Sequence, residues 1–275
     1  MLRRRMFALI LALLVAAPLS AASVDGISIH ASSMGSGPAL VFVHGWTCDS
    51  SSWASQVPAF AKDYRVITLD LPGHGESESP QDGKFSMDLF ARAVEAVRAE
   101  ADVDRVVLVG HSMGAPVIRQ YARSYPDRVA GLVAVDGPLD LRTFPAPEAG
   151  QGPPPMAGPE GLKAREGVIR SMFIPETPAV LQEQILSMML KAPESTAVGA
   201  IAAVLDPSIR WTDVIRAPAL AVYAGTATVP DAAMTREIIP NYEATQIAGT
   251  GHFLMMEKPD EFNGALRAFL DKIEF

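Results

Sequence analysis

Cysteine is nearly absent: Cys48 is the single one among 275 residues. An internal disulfide is therefore impossible, and stability must come from packing. Positive charge is also scarce. Lys and Arg total 23 against 31 acidic residues, for a net charge of −8; such a surface argues against nucleic acid and anionic lipid as partners. No apolar run is long enough for a membrane span. The run from Met6 to Ala17 covers 12 residues, whereas a spanning helix needs about 20. There is no internal repeat, no Gly-rich phosphate loop and no Cys/His spacing of a metal site, so neither a metal nor another cofactor is expected.

What is present begins with a targeting pattern. Arg3-Arg4-Arg5, the apolar run and Pro18-Leu19-Ser20-Ala21-Ala22 read as the charged, apolar and small-residue parts of a signal peptide cut after Ala22. Retention as an anchor is the alternative; after cleavage no stable membrane insertion is expected. Removing residues 1–22 takes three arginines and no acid, so the charge moves from −8 to −11. The expected location is the periplasm or the medium. At 49% hydrophobic and 20% charged, the remainder can build a full core. The sequence leaves oligomeric state open.

The chain is organised around Val106-Val107-Leu108-Val109-Gly110-His111-Ser112-Met113-Gly114-Ala115. Four apolar residues read as a strand buried on both faces, Gly-x-Ser-x-Gly as a sharp turn, and Ala115 to Tyr125 as a helix. Other strands are expected at Ala39–Val43, Arg65–Leu69, Gly131–Val135, Ala219–Ala224 and Ala244–Ala248, with an opening strand or hairpin within residues 24–38. Helices are expected over Ser50–Asp63, Met87–Ala101 and from Pro259 onward. Strands alternating with helices imply an α/β fold with a mostly parallel sheet. Composition changes after Asp136: a Pro/Gly-rich stretch and then helical segments read as an insertion over 137–210, splitting the core into 23–136 and 211–275.

Strand, Gly-x-Ser-x-Gly and helix in this order resemble the nucleophile elbow of the α/β-hydrolase superfamily. So do His44-Gly45 after a short strand and the Asp70-Leu71-Pro72-Gly73-His74-Gly75-Glu76-Ser77 loop, which is chiefly structural in that family. The resemblance implies a lidded serine hydrolase with Ser112 as nucleophile and His252 as base. It also implies an oxyanion hole from the main-chain N–H groups of Trp46 and Met113. The acid is less direct. The loop after Ala219–Ala224 reads Gly225-Thr226-Ala227-Thr228-Val229-Pro230 and lacks the carboxylate that many members carry there. Asp136, ending the strand after the elbow helix, and Asp231 are the two candidates, with Asp136 favoured.

Of the other histidines, His111 points away along the strand end, His74 fixes its loop, and His44 is assigned with Met172 and Met188 to the substrate pocket. Cys48 reads as a buried packing residue. The methionines of the insertion either wall an adaptable apolar pocket or fill the seam beneath it. The expected substrate is a small-molecule ester or lactone with apolar parts. A thioesterase, a C–C bond hydrolase, an aminopeptidase or a ligand-binding protein without turnover are the alternatives on the same fold. Haloalkane dehalogenases and epoxide hydrolases share it too, but they attack with a carboxylate, and this elbow carries Ser.

Overall fold

The computed structural model describes residues 16–19, 21–143 and 156–274. The charged part of the expected signal peptide, its apolar run up to residue 15, and residues 144–155 of the Pro/Gly-rich stretch lie outside these. An eight-stranded sheet runs in the order β1(Ala17–Pro18), β4(Ala31–Met34), β6(Arg65–Leu69), β5(Ala39–Val43), β7(Val106–His111), β8(Val129–Val135), β9(Ala219–Ala224), β10(Tyr242–Ile247). A small hairpin, β2(Ser23–Val24) with β3(Ile27–Ser28), stands apart. Pairings β1–β4 and β4–β6 are antiparallel, and all others in the large sheet are parallel.

Every residue of β5, β7, β8 and β9 is buried. Their Val/Leu/Ala/Phe-rich runs are what a parallel sheet covered on both faces requires. Register places Phe42, Val109, Val133 and Leu220 side by side across the four strands. From β5 the chain steps outward to β6, then returns to β7 on the other flank. That reversal opens a crevice beyond the carboxyl ends of β5 and β7, the usual ligand position in such sheets.

The helices are α1(Gln56–Phe60), α2(Met87–Glu100), α3(Gly114–Ser124), α4(Gly158–Arg170), α5(Ala179–Leu190), α6(Glu194–Leu205), α7(Ala232–Arg236), α8(Leu254–Glu257) and α9(Pro259–Leu270). The helix expected over 50–63 is broken in two. Asp49 accepts the Ser51 N–H at 2.9 Å and starts a 3-10 turn over Ser50–Trp53. A new start follows at Gln56 with Pro58 in the first turn, where its missing N–H is tolerated. Helices α4, α5 and α6 fall between β8 and β9, within the expected insertion. Among the described residues no single helix is long and apolar enough to cross a membrane. Strand β1 belongs to the expected signal segment yet pairs with Ser32 and Ser33; cleavage after Ala22 would remove it and leave β4 as the outer strand.

Candidate active site

The elbow is built by crowding. Beyond β7, Ser112 takes φ 51°, a left-handed conformation that costs an ordinary residue about 1–2 kcal/mol. The turn is fixed by the Ser112 N–H donating to Val135 O and the Ala115 N–H donating to Ser112 O, each at 2.9 Å. A Cβ at Gly110 would lie 2.3 Å from the Gly114 carbonyl oxygen, and one at Gly114 would lie 2.5 Å from that of Val43. Both are backbone atoms that cannot swing aside, so the two glycines are what lets helix and strand close beneath the serine.

Asp136 follows β8 in a similar left-handed conformation, φ 44°. Its N–H donates to Val222 O at 2.9 Å. Its Oδ1 accepts the Ala224 N–H at 2.8 Å, and its Oδ2 receives His252 Nδ1 at 2.6 Å. Burial alone would push this carboxyl up. The bond from His252, the attraction of that ring and the Ala224 N–H outweigh burial and hold it below the usual aspartate range. An ionised carboxylate only accepts, so Nδ1 carries the proton and Nε2 is the basic nitrogen. Asp231 plays no part here. It is exposed and caps α7 by accepting the Ala233 N–H at 2.9 Å.

Ser112, Asp136 and His252 line one cavity of about 650 Å³. Met113 lines it too, and among the described residues the N–H groups of Met113 and Trp46 meet no acceptor. The Trp46 indole is buried and donates to Ala197 O in α6 at 2.8 Å. The pocket assignments of His44, Met172 and Met188 need correction, since none is among the described lining residues. His44 is fully buried, its Nε2 accepting the Leu71 N–H at 2.9 Å and its Nδ1 bonding Gly45 O at 2.8 Å. Met188, on α5, is buried with its sulfur 3.6 Å from Ser51 Oγ. Met172 contributes its carbonyl, which accepts the His252 N–H at 3.1 Å.

The apolar wall instead includes Pro116, Pro138, Leu141, Leu205, Ile209 and Tyr223. Sequence reasoning missed it because α6 is rich in small residues and shows no apolar stripe; its small residues Ala197 and Ala200 are buried, and only Val204 and Leu205 at its carboxyl end line the cavity. The Asp70 loop is structural, as expected. Asp70 accepts the N–H groups of Ser50 at 2.7 Å and Glu76 at 2.9 Å. Cys48 is buried, and burial pushes its thiol up, which keeps it protonated and inert.

Three histidines are buried without charge. Burial lowers His44, and lowers His74 and His111 to about 3 from 6.5. The unfolded chain protonates them near 6.5 while the folded one does not. Stability is therefore full above pH 6.5 and falls as pH drops toward 3. At pH 5 the expected loss is about 2 kcal/mol each for His74 and His111. Urea unfolding at pH 7.5 and pH 5 checks it; equal midpoints would contradict buried neutral rings. Asp136 adds nothing in that window, because a lowered carboxylate loses its contribution only below its usual range.

Residues 38–158 match the family model of the alpha/beta hydrolase fold. The chain has the α/β-hydrolase fold. Among its relatives is the dihydrolipoyllysine-residue acetyltransferase component of the acetoin cleaving system of Pseudomonas putida, 32% identical over 245 residues. That match takes in 86% of this chain but 64% of the relative, so the chain spans less than two thirds of it. A solved structure described as "Est816 as an N-Acyl homoserine lactone degrading enzyme" superposes with a TM-score of 0.75 at 28% identity, covering 90% of this chain and 99% of that one. An esterase from Exiguobacterium antarcticum shares the fold, with a TM-score of 0.74 at 21% identity over 91% of this chain and 98% of the esterase.

Proposed function

We propose that this protein is an exported serine hydrolase that opens carboxylic esters or lactones through Ser112, His252 and Asp136. The observation that carries the reading is the 2.6 Å bond from His252 Nδ1 to Asp136, in the cavity that Ser112 also lines. Ser112 Oγ attacks the carbonyl carbon and its proton passes to His252 Nε2. The N–H groups of Trp46 and Met113 receive the oxyanion. Collapse expels the alkoxide, which takes the proton from His252. Water, deprotonated by His252, then hydrolyses the acyl-enzyme and frees the acid.

The apolar wall favours a substrate with hydrocarbon parts, and the likeness to a lactone-degrading enzyme supports ring esters among them. In this reading helices α4 to α6 form the lid. Export after Ala22 rests on the N-terminal sequence pattern alone. A fluorophosphonate probe tests the assignment. One covalent adduct on Ser112 is expected in the native protein and none after denaturation. No adduct on the native protein would favour a binding protein without turnover.

A further inference from the structure

We infer that His111, the residue before Ser112, is a positioning residue that fixes the backbone of His252 where its ring can serve the nucleophile. The inference rests on the triad reading and adds to it a group that touches neither substrate nor reacting atoms.

The peptide groups of His252 are held from both sides. Its N–H donates to Met172 O at 3.1 Å, and its carbonyl oxygen lies 2.9 Å from His111 Nε2. A carbonyl only accepts, so His111 Nε2 must carry the hydrogen. Burial, and then the neighbouring His252, pull the His111 ring down to about 3, so it stays neutral with one N–H. Its Nδ1 is therefore bare, and that nitrogen is buried with no partner among the described residues.

The ring has no room to turn. A Cβ on Gly45 would come within 2.9 Å of Nδ1, and the rings of Phe253 and His252 stand 5.0 and 4.8 Å away, centre to centre. A methionine would occupy much of this space without stranding a ring nitrogen. Packing alone thus gives no reason for histidine here, whereas the Nε2 donor does. The bond ties the loop bearing the base directly to the strand that presents the nucleophile. Catalytic groups must hold their geometry within about 0.5 Å, and a 1 Å misplacement can cost about 100-fold.

His111→Gln and His111→Met test this, since the two side chains are near in size and differ in the donor. With a p-nitrophenyl ester, His111→Met is expected to lower kcat about 30- to 100-fold. KM should hold within about twofold, because His111 is not among the lining residues of the cavity. The fluorophosphonate reaction rate should fall in step with kcat, and His111→Gln should recover most of both.

The inference is overturned if His111→Met keeps kcat within about threefold, or if the two variants are equally slow at matched melting temperatures. Should neither variant fold, nitrogen-15 NMR of the native protein decides. A neutral Nε2–H ring that does not titrate down to pH 5 is expected for His111; an Nδ1–H ring, or titration near 6.5, would overturn the inference. A native protein that takes no probe sinks the hydrolase reading itself, whereas labelling of His111→Met at the native rate sinks the positioning role alone.

Discussion

Asp136→Asn is expected to lower kcat by about 10⁴ with the fold intact. The loss follows from which atom of the new amide faces the base. The Ala224 N–H, 2.8 Å from Oδ1, must meet the amide oxygen. The amide NH₂ is then left facing His252 Nδ1 across the former 2.6 Å contact. Two donors cannot share that contact, so the imidazole moves its proton to Nε2 and can no longer accept one from Ser112. Asp231→Asn should leave kcat unchanged, because asparagine caps a helix about as well as aspartate. Steady-state kinetics of both variants, with circular dichroism to verify folding, check the pair. The reverse ranking would move the acid to Asp231.

Ser112→Ala and His252→Ala should each cost about 10⁶ in kcat, and the double variant should cost no more than either alone. Members of one catalytic unit are not additive: without the hydroxyl there is nothing for the imidazole to deprotonate. The rate that remains above water comes from the Trp46 and Met113 N–H groups and from binding. Alanine at 112 keeps the left-handed conformation of the elbow, φ 51°, so melting temperature should change little. Independent losses that multiply in the double variant would refute a shared proton path.

Much of this site was legible in the chain because its constraints are local. The spacing of Gly110, Ser112 and Gly114 is dictated by atoms within one turn and the neighbouring strand. The β-strands β5, β6 and β9 fall where their apolar runs lie, since burial on both faces leaves a continuous signature. Asp136 could be favoured over Asp231 from what the Gly225–Pro230 loop lacks. The physical reason appears only in three dimensions: β8 and β9 are neighbours, so a carboxylate at the end of β8 reaches across and bonds the N–H of Ala224, at the end of β9.

The pocket wall was not legible. Met172 and Met188 have the chemistry of a wall, but which face of an inserted helix turns inward depends on how the whole insertion docks. The buried indole of Trp46 is likewise committed to Ala197 in α6, a partner 151 positions away that no local pattern announces.

Two main-chain oxygens of the insertion bond to the core: Met172 O, between α4 and α5, accepts the N–H of His252, and Ala197 O, in the first turn of α6, accepts the indole of Trp46. A carbonyl makes the same bond whatever side chain its residue bears. The side chains at positions 172 and 197 therefore take no part in these two bonds to the loops of His252 and Trp46, although the fully buried Ala197 has room only for a small one. New substrate preferences have a separate place to arise, at Leu205 and Ile209, which line the cavity. In the proposed reading, the groups that cleave the bond and those that choose what is cleaved thus sit on different atoms, and either set can drift while the other stands.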